Sequence, residues 1–155
     1  MQGLEDLYRE IILDHYKNPR NSGTLESPPA LKNEGYNPLC GDEVTIYVNW
    51  DGDKIADIKM AGQGCSISRS SASLMTISVK GKSLEEARGV IKTFKSLLSL
   101  ADDHETVEIQ TNEDLRALGE LAALQGVVKF PVRIKCATLA WNTFSQILDE
   151  IDATI

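Results

Sequence analysis

A chain of 155 residues suits one compact domain (1–155), since a domain of this size buries roughly 70% of its unfolded surface and needs neither disulfide nor oligomer. Sixteen lysines and arginines against twenty-three aspartates and glutamates give a net charge of −7, so no cationic field exists to attract nucleic acid or an anionic membrane. No apolar run approaches the roughly 18 residues of a membrane span and the start, Met1-Gln2-Gly3-Leu4, opens no basic-then-apolar leader, so we expect a cytoplasmic protein whose three cysteines stay reduced for metal or thiol chemistry.

Along the chain, Leu4, Leu7, Tyr8, Ile11, Ile12 and His15 fall at helical spacing opposite Arg9, Glu10 and Asp14, predicting an amphipathic helix from Leu4 to Tyr16 that ends near Asn18-Pro19. His15 lies on the apolar face and reads as structural. Asn21 to Pro38 is rich in Asn, Ser, Gly and Pro and predicts a surface connection, with Leu31 to Tyr36 able to add an edge strand. Val44, Ile46 and Val48 alternate with Thr45, Tyr47 and Asn49, and after Asp51-Gly52-Asp53 a second run carries Ile55, Ile58 and Met60, which is a β-hairpin signature. Gly62-Gln63-Gly64-Cys65 reads as a flexible loop leading into a closely packed, serine-capped helix over Ser66 to Val79. Ser83 with Glu86 forms a capping box opening a helix through Ala87, Val90, Ile91, Phe94 and Leu97. Asn112 is expected to cap a short helix carrying Leu115, Leu118 and Leu121, and a last helix runs from about Ile134 to Ile151. Trp50 and Trp141 read as packing groups. The fold class is therefore α+β, a small antiparallel sheet of about three strands packed against several helices.

The cysteines carry the chemistry. Each is expected at a structural boundary: Cys40 before the hairpin, Cys65 after a Gly-x-Gly loop, Cys136 in the first turn of the last helix. Free cysteines are commonly small core hydrophobes, but three at junctions point to ligands or nucleophiles. With 24 residues between the first two and 70 between the last two, the spacing is no zinc-finger knuckle. The local chemistry says more. Gly41 lets the chain turn so that Cys40 and Asp42 can face one ion, and a carboxylate beside thiolates suits a borderline metal. Helix N-terminal amides with Arg133 and Lys135 are expected to stabilise a Cys136 thiolate.

Four segments resemble the NifU/IscU-like family of iron–sulfur assembly proteins, and within it the SufU branch. They are Leu7 through Asn21, then Asn37-Pro38-Leu39-Cys40-Gly41-Asp42, then Gly62 through Ser68, and finally Arg133 through Trp141, in that order. The resemblance implies a SufE/NifU-like fold in which Cys40, Asp42, Cys65 and Cys136 gather round one zinc ion, or alternatively iron or a transient [2Fe–2S] cluster. In scaffold-type members a histidine stands before the third cysteine, and a Leu-Pro-Pro-Val-Lys segment before that recruits a chaperone. Here Lys135 and Phe130-Pro131-Val132-Arg133 stand instead. Lysine is protonated at neutral pH and a poor ligand, which weighs against scaffolding and chaperone docking. The segment from about Asn112 to Val128 is also similar to the SufU branch.

Two functions follow from the resemblance. In the first, the chain is a zinc-dependent acceptor of sulfane sulfur from a SufS-type, pyridoxal-phosphate cysteine desulfurase and passes it to a downstream cluster-assembly complex. Cys40, on a Pro- and Gly-flanked loop, is then the mobile acceptor. In the second, the same residues form a scaffold on which a [2Fe–2S] cluster is assembled.

Overall fold

The computed structural model of the chain describes residues 2–98, 120–121, 123–124, 127 and 130–154. In order these form α1 (Gln2–Lys17), β1 (Leu31–Asn37), β2 (Asp42–Trp50), β3 (Ile55–Gln63), α2 (Ser66–Val79), α3 (Leu84–Leu98) and α4 (Pro131–Thr154). The strands make one antiparallel sheet in the order β1-β2-β3. The α+β expectation holds, edge strand included.

Alternation along β2 turns Val44, Ile46 and Val48 to one face, where they are buried with Ile55, Ile58 and Met60 of β3. Ile55 and Ile58 are three apart, which strict alternation forbids. A register irregularity between Asn49 and Trp50 reconciles them, because Trp50 pairs with Ile55 while Asn49 pairs with Asp57. Against this face lie α2 and α4, with α1 outside α2 and α3 against α4. Trp141 of α4 is fully buried, stacked on Phe94 of α3 with centroids 4.1 Å apart. Its indole N–H donates to Ser71 Oγ at 2.9 Å.

The capping box is present: Glu86 N–H donates to Ser83 Oγ, and Ser83 N–H to the Glu86 carboxylate. His15 is buried as expected, its Nδ1 2.7 Å from Ser73 Oγ, which ties α1 to α2. Three local expectations need correction. β3 runs through Gln63, so only Gly64 and Cys65 separate it from α2. The cap of α2 is Cys65, whose sulfur accepts from Ser68 N–H, rather than a serine. Helix α4 starts at Pro131, before Ile134, because proline's fixed φ suits the first helical position, where an N–H has no partner anyway. The expected helix capped by Asn112, with Leu115 and Leu118, lies outside the described residues; Leu121 is buried. Among the described residues no helix is long and apolar enough to cross a membrane.

Candidate metal centre

The sheet register builds one end of the site. Asn37, the last residue of β1, pairs with Asp42, the first of β2, so residues 38–41 form a short loop that presents Cys40. Gly41 closes it with φ of +72°, a left-handed conformation that glycine adopts without a side-chain clash, and its N–H donates to Asn37 O at 2.8 Å. Glu43 pairs with Gln63, which carries the end of β3 alongside Asp42. There Cys65 N–H donates to Asp42 Oδ1 at 2.9 Å, and the Cys65 thiol lies 3.9 Å from Oδ2. Helix α4 supplies Cys136, whose sulfur is 3.2 Å from that of Cys40. Ligand atoms of Cys40, Asp42 and Cys136 all lie within 4.8 Å of one another.

Cys65 stands just outside that trio. Its sulfur is engaged at the N-cap of α2, 3.5 Å from Ser68 N, while it touches Asp42 on the other side. The structure thus gathers three of the four expected ligand residues and places the fourth against the carboxylate they share. Burial grades the thiols: Cys40 is exposed, Cys65 intermediate and Cys136 buried.

The donor set fits a borderline cation. Asp42 is fully buried, and among the described residues no basic side chain forms an ion pair with it. A buried carboxylate needs compensation beyond one backbone N–H, and a divalent ion held with thiolates would supply it. Without such an ion the electrostatics run the other way at Cys136. Burial, then hydrogen bonds to Cys40 and Asp42, then the nearby Cys65 and Asp42 charges push its thiol well above the usual range.

That corrects the expected stabilisation of a Cys136 thiolate. Cys136 is the sixth residue of α4, beyond the free amides of the first turn, and is not at a boundary. Arg133 does face the sulfurs: the charge of Cys65, then a hydrogen bond to and the charge of Cys136, raise the guanidinium above its ordinary value, with a smaller contribution from Cys40. Lys135 is solvent-exposed.

Sequence reasoning passed over two residues. Asn37 is buried, with its side chain between the Cys40 loop and the Cys136 sulfur. The Asn37-Pro38 dipeptide, a turn-initiating pair, was the available signal. Gly64 is the other: a Cβ there would sit 2.7 Å from Asp42 Oδ1, a closeness no local pattern discloses.

Residues 7–137 match the family model described as the NifU-like N terminal domain. The zinc-dependent sulfurtransferase SufU of Bacillus subtilis (strain 168) is 43% identical over 143 residues, covering 92% of this chain and 90% of that protein. The iron–sulfur cluster assembly scaffold protein IscU of Streptococcus pyogenes serotype M1 is also 43% identical over 143 residues, covering 92% and 83%. Among solved structures, an iron–sulfur cluster assembly scaffold protein for the SUF system from Fervidobacterium islandicum AW-1 superposes with a TM-score of 0.76 at 35% identity, covering 90% of this chain and 94% of that one.

Proposed function

This chain belongs to the NifU-like N-terminal domain family, and from that membership we propose that it is an iron–sulfur cluster assembly protein that accepts sulfane sulfur from a cysteine desulfurase of SufS type. Supporting this reading above all is an exposed Cys40 thiol within 4.8 Å of buried Asp42 and Cys136 ligand atoms, in a chain 43% identical to a zinc-dependent sulfurtransferase. In it, Cys40, Asp42, Cys65 and Cys136 hold the ion. Bound zinc keeps the thiolates deprotonated and fastens the three segments that carry them.

Cys40 is the acceptor. Its thiolate attacks the terminal sulfur of the desulfurase persulfide. A new S–S bond forms on Cys40, the donor's S–S bond breaks, and the donor cysteine leaves as thiolate. Asp42, Cys65 and Cys136 would hold the ion meanwhile. Cytoplasmic placement and hand-over to a downstream cluster-assembly complex belong to the same reading.

Transfer from a desulfurase supplied with 35S-cysteine, followed by peptide mapping, tests it: label on Cys40 is expected. Absence of label from all three cysteines removes the acceptor role. The 43% identity to a scaffold protein keeps a second reading open, transient [2Fe–2S] assembly on the same residues. Anaerobic reconstitution with iron and sulfide separates the two, since a scaffold acquires a visible cluster spectrum and a pure acceptor does not.

A further inference from the structure

We propose that Asn37 is a positioning residue that selects which sulfur of the centre reacts, by hydrogen-bonding Cys136 and leaving Cys40 undamped. The inference rests on the metal-dependent acceptor reading and deepens it.

Asn37 is 5% exposed and connects both halves of the site. Its Oδ1 accepts Leu39 N–H at 3.2 Å, and its backbone carbonyl accepts Gly41 N–H at 2.8 Å, so one residue clamps the loop on either side of Cys40. Its Nδ2 lies 3.7 Å from Cys136 Sγ. The orientation of the amide follows from the network. Leu39 N–H requires an oxygen, and that fixes the NH2 group toward the sulfur.

An N–H directed at a thiolate draws electron density from it. The sulfur then donates less strongly to a metal and attacks an electrophile more slowly, yet stays seated because the donor orients it. Such supporting groups around metal ligands are typically worth about 10–100-fold in affinity or activity. Around Cys40 the described contacts are different: its sulfur meets the Cys136 thiol, and no N–H group is aimed at it. Cys65 has its own donor, Ser68 N–H. Among the described residues, Cys136 therefore has the N–H donors of Asn37 and, from the solvent side, Arg133, and Cys65 has that of Ser68, while the exposed Cys40 has none; the buried asparagine that damps Cys136 also holds the Cys40 loop in reach of a partner.

Two variants separate the donor from the clamp. Asn37→Ser keeps an oxygen able to accept from Leu39 N–H and removes the N–H toward sulfur, whereas Asn37→Ala removes both. The probe is limiting iodoacetamide on zinc-loaded protein, with alkylation of each cysteine quantified by mass spectrometry. The wild type is expected to be modified at Cys40 first. In Asn37→Ser the Cys136-to-Cys65 labelling ratio should rise at least several-fold. With cobalt(II) in place of zinc, the sulfur-to-metal charge-transfer band of the variant should shift to longer wavelength, a readout that a general loss of stability does not move. Loosening of the fold would expose Cys65 and Cys136 together and leave their ratio unchanged. An unchanged ratio and an unshifted band in Asn37→Ser overturn the proposal. Failure of wild-type protein to bind cobalt would instead sink the metal-centre reading on which it rests.

Discussion

Gly64→Ala adds a single methyl group, and its cost can be worked from the position of that group. Gly64 has no positive φ, so the backbone tolerates alanine; the objection is steric. The new Cβ would stand 2.7 Å from Asp42 Oδ1 and 3.2 Å from both Asp42 Cβ and Cγ. The first distance is shorter than real Cβ contacts allow, so something must shift. Asp42 has little room to retreat, being fully buried with the same Oδ1 bonded to Cys65 N–H at 2.9 Å. Overpacking of this kind costs about 1–3 kcal/mol. Falling wholly on the carboxylate's placement, at 1.4 kcal/mol per factor of ten, it weakens metal binding by roughly 5- to 150-fold. Zinc competition against a chromophoric chelator measures the loss, and thermal unfolding of the chelated protein shows how much falls on the fold instead. Gly89→Ala is the control: on the exposed face of α3 an added Cβ meets nothing within 4 Å, and removing a helix-interior glycine should stabilise by up to about 1 kcal/mol without touching the metal. If Gly64→Ala binds zinc as tightly as wild type and melts with it, Asp42 is not held against Gly64 as described and the steric reasoning fails.

Further outcomes can be measured on the same protein. Asp42→Ala should lower zinc affinity and change desulfurase stimulation, or, for a scaffold, lengthen the lifetime of an assembled cluster; no change in either assay takes Asp42 out of the site. Cys40→Ser should abolish transfer of labelled sulfur while keeping the fold and some metal, whereas Cys65→Ser and Cys136→Ser should lose both; label arriving at the wild-type rate on Cys40→Ser makes another thiol the acceptor. Ser71→Ala leaves the Trp141 indole N–H buried without its acceptor, at a cost of about 1–3 kcal/mol readable by chemical denaturation. For His15, burial and then the Arg20 charge lower the imidazole pKa against the opposing pull of Glu120 and Asp14. The folded chain thus holds fewer protons than the unfolded one below the ordinary histidine pKa, about 6.5, and stability falls as pH drops through that value. His15→Gln should flatten the pH 5–7 limb of the Tm profile; a parallel limb excludes His15 as its source.

Strand and helix types were legible because their patterns are local: alternation in Val44, Ile46 and Val48, the Ser83–Glu86 box, the Asp51-Gly52-Asp53 turn. The Cys-Gly-Asp triplet was legible for the same reason, since one left-handed glycine suffices to bring Cys40 and Asp42 to the same side. What escaped depends on contacts across long separations. The serine in the expected cap of α2 gave way to Cys65 because Asp42, 23 residues earlier, fixes the Cys65 backbone N–H and so sets where the helix begins. The basic neighbours of Cys136 were visible in sequence, but its burial beneath Asn37 and Cys40 was not. Burial, with the hydrogen bonds to Cys40 and Asp42 and the nearby Cys65 and Asp42 charges acting in the same direction, raises that thiol's pKa.

The graded burial of the three sulfurs also bears on which ligand can leave a metal without disturbing the fold. Cys40 sits on a loop between two residues, Asn37 and Asp42, that remain paired across the sheet, so its departure breaks no strand register. Release of Cys65 would take its sulfur from the cap of α2, and loss of an N-cap typically costs about 1 kcal/mol. Release of Cys136 would require movement of the second turn of a helix whose neighbouring Ala137 carbonyl is bonded to Ser71 and whose Trp141 is stacked in the core. The thiol that is cheapest to move is also the exposed one, which is the combination that an acceptor for a bulky protein-borne persulfide requires. Hydrogen exchange during desulfurase turnover checks this step. Protection at Ser68 and through α4 should persist while amides of residues 39–41 exchange faster, and loss of protection at Ser68 would shift the mobile role to Cys65.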